Sequence, residues 1–199
     1  MTAPTGSRPR VGPYSALMPG GGAAAVAAGI AALRAQTMLP ADIWVLQPDH
    51  DPAVVAQHGS GRLPAVRILR QDRPPPAWAP LLFTWFLPSS YTLLLAPGAR
   101  PAPHFAETAL ATMRRHRAMI CAAGSRRGAA VAAGAADQAI DLGEGAWFFE
   151  THWIRHAWAA PPGDLDGDPM PAFAAALRRA RTPLAVPALP DGTAAHLLS

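Results

Sequence analysis

The sequence predicts an α/β fold, with a mixed, mostly parallel sheet flanked by helices. Three observations carry that prediction. Short apolar runs alternate with helical patterns along most of the chain. The first strand–helix–strand unit closes within about 35 residues, the length of a parallel crossover. Half of the 199 residues are apolar and only 15% are charged, enough for a buried core and too apolar for wholesale disorder.

The elements follow in order. Residues 14–18 form an apolar run stopped by Pro19-Gly20-Gly21-Gly22. Residues 23–37 read as a helix, with Val26, Ile30 and Leu33 spaced for one face. Strands are expected at 43–46, 66–69 and 91–95, with a helix at 78–87 after a proline triplet. Residues 104–117 form an amphipathic helix whose basic end suits the helix dipole. A fifth strand is expected at 118–122.

After Gly124 the pattern changes. Residues 128–137 are Ala/Gly-rich and read as a surface loop, and 140–149 mix apolar residues with Gly143 and Gly145. Residues 151–158 read as a short helix with Thr151 as its N-cap. An acidic, Gly-rich loop at 161–168, a helix at 171–181 and a final edge strand at 184–186 complete the chain. Residues 1–12 and 191–199 are expected to be tails around one domain at 13–190.

The formal charge is +4, and the pI is about 10.5. All 17 basic residues are Arg, and Lys and Asn are absent. A GC-rich bacterial genome explains that bias. Arg114-Arg115-His116-Arg117, Arg126-Arg127 and the Arg178–Arg181 run read as solvated faces, since no aromatic stacking motif accompanies them. Nucleic acid is therefore not an expected partner. The one cysteine, Cys121, excludes an internal disulfide and a cysteine zinc cluster, and its apolar neighbours predict a buried thiol. Pro19 and three glycines interrupt the only stretch that mimics a signal peptide, and no apolar run spans a bilayer. The expected location is cytoplasmic.

Ligands of parallel sheets sit beyond the carboxyl ends of the strands. Three loops leave such ends: 19–22, whose glycines allow close backbone approach; 47–51, with Asp49 and Asp51; and 96–100, with Arg100 and no carboxylate. His152 and His156 are spaced to share a helix face, but lack the Glu of a metalloprotease motif. Trp147, Trp153 and Trp158 fit either the core or a groove that stacks on a ligand.

The order of elements resembles the glycosyltransferase family 2-like group, which has the GT-A fold. The resemblance rests on Gln36-Thr37-Met38-Leu39-Pro40-Ala41-Asp42-Ile43-Trp44-Val45, and on the aromatic stretch 83–86 followed by the strand 90–95. It continues in Ile140-Asp141-Leu142-Gly143, Trp147-Phe148-Phe149 and the Trp-containing stretch 152–158. It covers roughly residues 14–190 and implies a single GT-A domain. The implied activity is transfer of a sugar from a nucleoside-diphosphate sugar to an acceptor the sequence leaves unknown.

The family's acidic D-x-D motif would hold Mn²⁺ or Mg²⁺ against the diphosphate. The matching positions here are Ala96, Pro97 and Gly98, so the motif reads as lost. Arg100, with Arg126 or Arg127, could neutralise phosphate without metal. The resemblance implies Asp49 or Asp51 at the nucleoside and Asp168 as base toward the acceptor, with Asp166 second. The alternative is a catalytically inactive GT-A domain that serves as a binding or assembly module for a protein partner.

Overall fold

The computed structural model describes residues 10–47, 64–71, 76–126, 129–132, 136–158 and 167–188. Its strands are β1 (Arg10–Val11), β2 (Tyr14–Pro19), β3 (Met38–Leu39), β4 (Asp42–Gln47), β5 (Ala65–Arg70), β6 (Tyr91–Leu95), β7 (Met119–Arg126), β8 (Ala129–Ala132), β9 (Gln138–Ile140), β10 (Leu142–Glu150) and β11 (Leu184–Val186). Its helices are α1 (Ala23–Arg34), α2 (Ala79–Phe83), α3 (Phe105–His116), α4 (Arg155–Trp158) and α5 (Pro169–Arg179), with 3-10 turns at Thr84–Phe86 and Thr151–Ile154.

Nine strands form one sheet in the order β5-β4-β2-β6-β10-β7-β11-β9, with β8 also paired to β7 off that path. β5, β4, β2 and β6 are mutually parallel. β10 lies antiparallel between β6 and β7, so β7 and its parallel neighbour β11 run with the first four. The expected mixed, mostly parallel sheet is therefore present: β8, β9 and β10 alone oppose its direction.

The central strands read as unbroken apolar runs because both faces are covered. Tyr14, Ala16, Leu17 and Leu93 are fully buried, as are Phe148 and Phe149 of β10. Tyr14 packs its ring edge on Phe148 and donates its hydroxyl to the Met38 carbonyl at 2.7 Å. Burial pushes its phenol pKa up. Phe149 meets Phe173 of α5 edge-on at 5.4 Å, which fastens that helix to the sheet. Such a pair contributes about 0.5–1.5 kcal/mol beyond burial.

The Gln36–Val45 passage has a mechanical role. Gln36 is buried at the end of α1. Its Nε2 donates to the Ala102 carbonyl at 2.7 Å, and its Oε1 accepts from Ala106 N–H at 3.0 Å. It thereby satisfies an open amide in the first turn of α3, which has no side-chain cap of its own. Thr37 Oγ1 adds a 2.9 Å bond to Glu107. At the other end, α3 stops at Arg117, whose left-handed backbone (φ 50°) takes a residue out of the helical path.

Several expectations need correction. The segment read as a loop at 128–137 contains β8, paired with β7 from Ala123↔Ala132 to Arg126↔Ala129. Its small residues hid the strand, because ladder pairing needs only backbone groups. The 184–186 strand is not an edge: it lies between β7 and β9 with Leu184 and Val186 buried. The 78–87 helix is one short α-turn followed by a 3-10 turn. Thr151 is not an N-cap; its hydroxyl donates to the Ser89 carbonyl at 2.7 Å and meets Thr92 Oγ1 at 2.9 Å. Pairing begins at Arg10↔Met38, inside the segment expected as a tail.

Candidate functional site

The parallel order β4-β2-β6 brings the carboxyl ends of these three strands to one edge of the sheet. An open cleft of about 410 Å³ lies there. Pro19 closes it from β2, Leu94 to Pro97 from β6, and Pro80 and Leu81 from α2. Trp147 of β10 and the start of α5, Asp168 to Met170, complete the wall.

Each wall has a local cause. Gly20 lies so close to β4 that a Cβ there would meet the Leu46 carbonyl at 2.4 Å. Its N–H donates to that carbonyl at 2.6 Å. Gln47 holds the next residue: its Oε1 accepts from Gly21 N–H at 3.3 Å and its Nε2 donates to the Gly21 carbonyl at 3.2 Å. The glycine loop is thus clamped to the neighbouring strand before α1 begins.

At β6, Ala96 N–H donates to the Gly145 carbonyl at 2.8 Å. Gly145 has φ +77°, in the left-handed region that favours glycine, and it sits in a register shift between Glu144 and Trp147. The irregularity lies in the pairing of β10 with β7, while the pairing of β10 with β6 stays in register. Trp147 itself is 9% exposed. Gly143 makes room beside it, since a Cβ there would lie 2.0 Å from Cys121 Sγ. Cys121 is buried and its thiol pKa is pushed up by that burial, so it is packing rather than a nucleophile.

Asp168 is the only ionisable residue in the cleft wall among the described residues. It caps α5: Oδ1 accepts from Met170 N–H at 3.0 Å, and Pro169 follows at the first helical position.

The other expected site residues fall differently. Arg100 is exposed, follows the turn at Pro97-Gly98, and does not line the cleft. Arg126 is exposed at the carboxyl end of β7 and does not line it either. Asp49, Asp51, Asp166 and Arg127 lie outside the described residues. Trp153 is buried and Trp158 is half exposed, and neither joins Trp147 at the cleft. Of the two alternatives for these tryptophans, Trp147 and Trp153 follow the core one, and the three do not line one groove among the described residues. Pro19 and Pro97 belong to two of the expected strand-end loops, whereas reading residues alone missed Pro80, Leu81 and Met170 as cleft walls, because apolar side chains carry no chemical signature in a sequence.

A divalent cation does not fit the described part of this edge. Ala96, Pro97 and Gly98 offer no side-chain ligand, and no group of three or more His, Cys, Asp or Glu comes together among the described residues. His152 is engaged elsewhere, its Nδ1 lying 3.3 Å from Glu150.

No protein-family model matches the chain, and no curated protein matches it by sequence. Solved structures do match in three dimensions. S. aureus TarS 1-349 superposes with a TM-score of 0.65 at 10% identity, over 89% of this chain and 58% of that one. The chain has the fold of a glycosyltransferase domain. TarS 1-349 in complex with UDP-GlcNAc gives 0.66 at 11% identity, covering 89% of this chain and 56% of that one. The complex with UDP gives 0.62 at 12% identity, covering 89% and 58%. The present chain thus spans somewhat over half the length of the TarS 1-349 chains and 35% of a longer TarS chain. No helix among the described residues is long and apolar enough to cross a membrane.

Proposed function

We propose that this chain is a glycosyltransferase-type domain of the family 2-like kind that takes a nucleoside-diphosphate sugar at the carboxyl edge of its parallel strands. The observation that carries the reading is the cleft itself: where this fold places ligands, the chain keeps about 410 Å³ open instead of filling it. The TarS structures with UDP and UDP-GlcNAc support the same class of ligand.

In this reading the apolar walls, Trp147 among them, receive the uncharged part of the donor. Arg100 and Arg126 meet the diphosphate from outside the cleft, replacing the cation whose ligands are missing from Ala96-Pro97-Gly98. Asp49 or Asp51 contacts the nucleoside. Asp168 uses Oδ2 as the base, with Asp166 second, because Oδ1 is committed to Met170 N–H. The acceptor oxygen bonds to the anomeric carbon, the bond from that carbon to the diphosphate oxygen breaks, and the acceptor proton passes to Asp168. The nucleoside diphosphate leaves.

A second reading has its own support. The cleft wall is mostly apolar and its one described charge is negative, which disfavours a diphosphate. An inactive domain that retains the fold as a binding module for a protein partner accounts for both facts.

Thermal unfolding separates the two. UDP, other nucleoside diphosphates and their sugars are added with and without Mn²⁺, since a ligand that binds only the folded state raises the Tm. A metal-independent rise that Arg100→Ala removes, together with donor turnover, supports the transferase. A rise without turnover leaves a nucleotide-sugar binder. No rise with any nucleotide overturns the donor reading in favour of the module.

A further inference from the structure

We propose that a second concavity, at the opposite edge of the sheet, binds a neutral pyranose. It holds about 420 Å³. Tyr91, the first residue of β6, pairs with Glu150, the last of β10, and both line it. The candidate cleft is lined by Leu94 and Leu95 at the other end of β6, so Thr92 and Leu93 lie between the two linings along that strand. This site does not rest on the donor reading.

The floor is fixed by hydrogen bonds. Thr151 N–H donates to the Ser90 carbonyl at 2.9 Å, and Thr151 Oγ1 donates to the Ser89 carbonyl at 2.7 Å. Ser15 Oγ donates to Ser89 Oγ at 2.9 Å. Tyr91 stacks on buried Phe148 with ring centroids 6.0 Å apart. A concavity built on such supports is preorganised for a ligand.

The rim decides the ligand's chemistry. Trp85 stands 52% exposed on a 3-10 turn, a large apolar ring facing water. Beside it, Glu150 and His152 form a pair at 3.3 Å and both stay partly exposed. Ser90 adds an exposed hydroxyl. A pyranose has an apolar C–H face and an edge of hydroxyls that each donate and accept. The Trp85 ring matches the face. Glu150 accepts, while His152 and Ser90 can both donate and accept, which matches the edge. A simple anion would be repelled by Glu150. A wholly apolar ligand would strand the polar groups without partners. A cation would compete with His152 for the one carboxylate.

The test titrates the full chain with maltotetraose, cellotetraose and chitotetraose, by calorimetry and by amide chemical shifts in ¹H–¹⁵N spectra. Choline and inorganic phosphate serve as cation and anion probes. At least one tetrasaccharide is expected to bind and to move the amides of Ser90, Tyr91, Glu150 and Thr151. Trp85→Ala should weaken that binding about tenfold or more, as loss of an aromatic anchor does. Glu150→Gln should weaken it several-fold, and Trp158→Ala, at another half-exposed tryptophan, should leave it unchanged. Amide spectra of each variant establish that it is folded. The proposal is overturned if no tetrasaccharide moves those amides, if choline or phosphate alone does, or if folded Trp85→Ala and Glu150→Gln bind as tightly as the parent.

Discussion

Gln47 and Gly21 are joined twice, by a 3.3 Å bond from the glycine N–H to Oε1 and a 3.2 Å bond from Nε2 to the glycine carbonyl. One side-chain amide thus does for the glycine loop what a neighbouring strand would do. Gln47 is 4% exposed, so its loss leaves buried backbone groups without partners. Gln47→Ala should cost about 1–3 kcal/mol in urea unfolding. It should also speed hydrogen exchange at Gly21. An unchanged exchange rate would show that the loop is held by Gly20 alone.

Asp168 has one structural and one proposed chemical role, and two substitutions pull them apart. Asp168→Ala removes the cap of α5 and should cost about 1 kcal/mol. Asp168→Asn keeps an equally good cap, so stability should hold, while transfer collapses if the carboxylate is the base. Activity retained in Asp168→Asn, measured as nucleoside diphosphate release, would exclude it as the base.

Gly143 and Cys121 cannot both carry larger side chains. A Cβ at Gly143 would sit 2.0 Å from Sγ and 2.8 Å from the cysteine Cβ. Gly143→Ala should destabilise by roughly 1–3 kcal/mol through overpacking. Adding Cys121→Ala should restore part of that loss, because it removes the sulfur but not the Cβ. In the native protein Cys121 should resist thiol reagents, and its modification should track global unfolding in a denaturant series.

Acid should weaken the junction around Asp137. That carboxylate accepts from Ala188 N–H at 2.8 Å, Arg115 Nη1 at 2.8 Å and His116 Nε2 at 2.9 Å, tying α3 to the chain after β11. Burial raises its pKa, but the Ala188 and His116 hydrogen bonds and the Arg115 and His116 charges outweigh burial, so the net shift is downward from 3.8. Its stabilisation is therefore complete above that ordinary value and is lost as pH falls through the lower folded value. His156 acts in the same direction at higher pH. Burial, then Arg155 and His152, lower its pKa from 6.5, so the folded state loses stability as pH falls below 6.5. Urea midpoints should decline in both windows, and Asp137→Asn should flatten the lower one only.

Much of the fold was legible because burial on both faces writes itself into a strand as a continuous apolar run. Tyr91–Leu95 and Leu184–Val186 were readable to the residue. Asp168 was named only through the family resemblance, as a base; its role as the cap of α5 came from the structure. β8 was not readable, since a run of small residues pairs through backbone groups that every residue shares. Arg100 and Arg126 were readable as charges near strand ends, whereas their place outside the cleft lining was not, because a sequence shows charge and not distance.

The sequence by itself determined the α/β class, the succession of strands and helices, the buried thiol at Cys121 and the absence of acidic side chains from the loop 96–100 that follows β6. Those properties depend on composition, on period and on which residue occupies a position. The tertiary structure alone decided that β10 runs backward between β6 and β7, that Gln47 grips Gly21, and that Trp147 and Asp168 share one cleft. It also decided that Glu150, His152 and Trp85 meet at the far edge. Each of these joins residues from separate elements. Their meeting follows from how the sheet is ordered, which is set by packing the whole core at once.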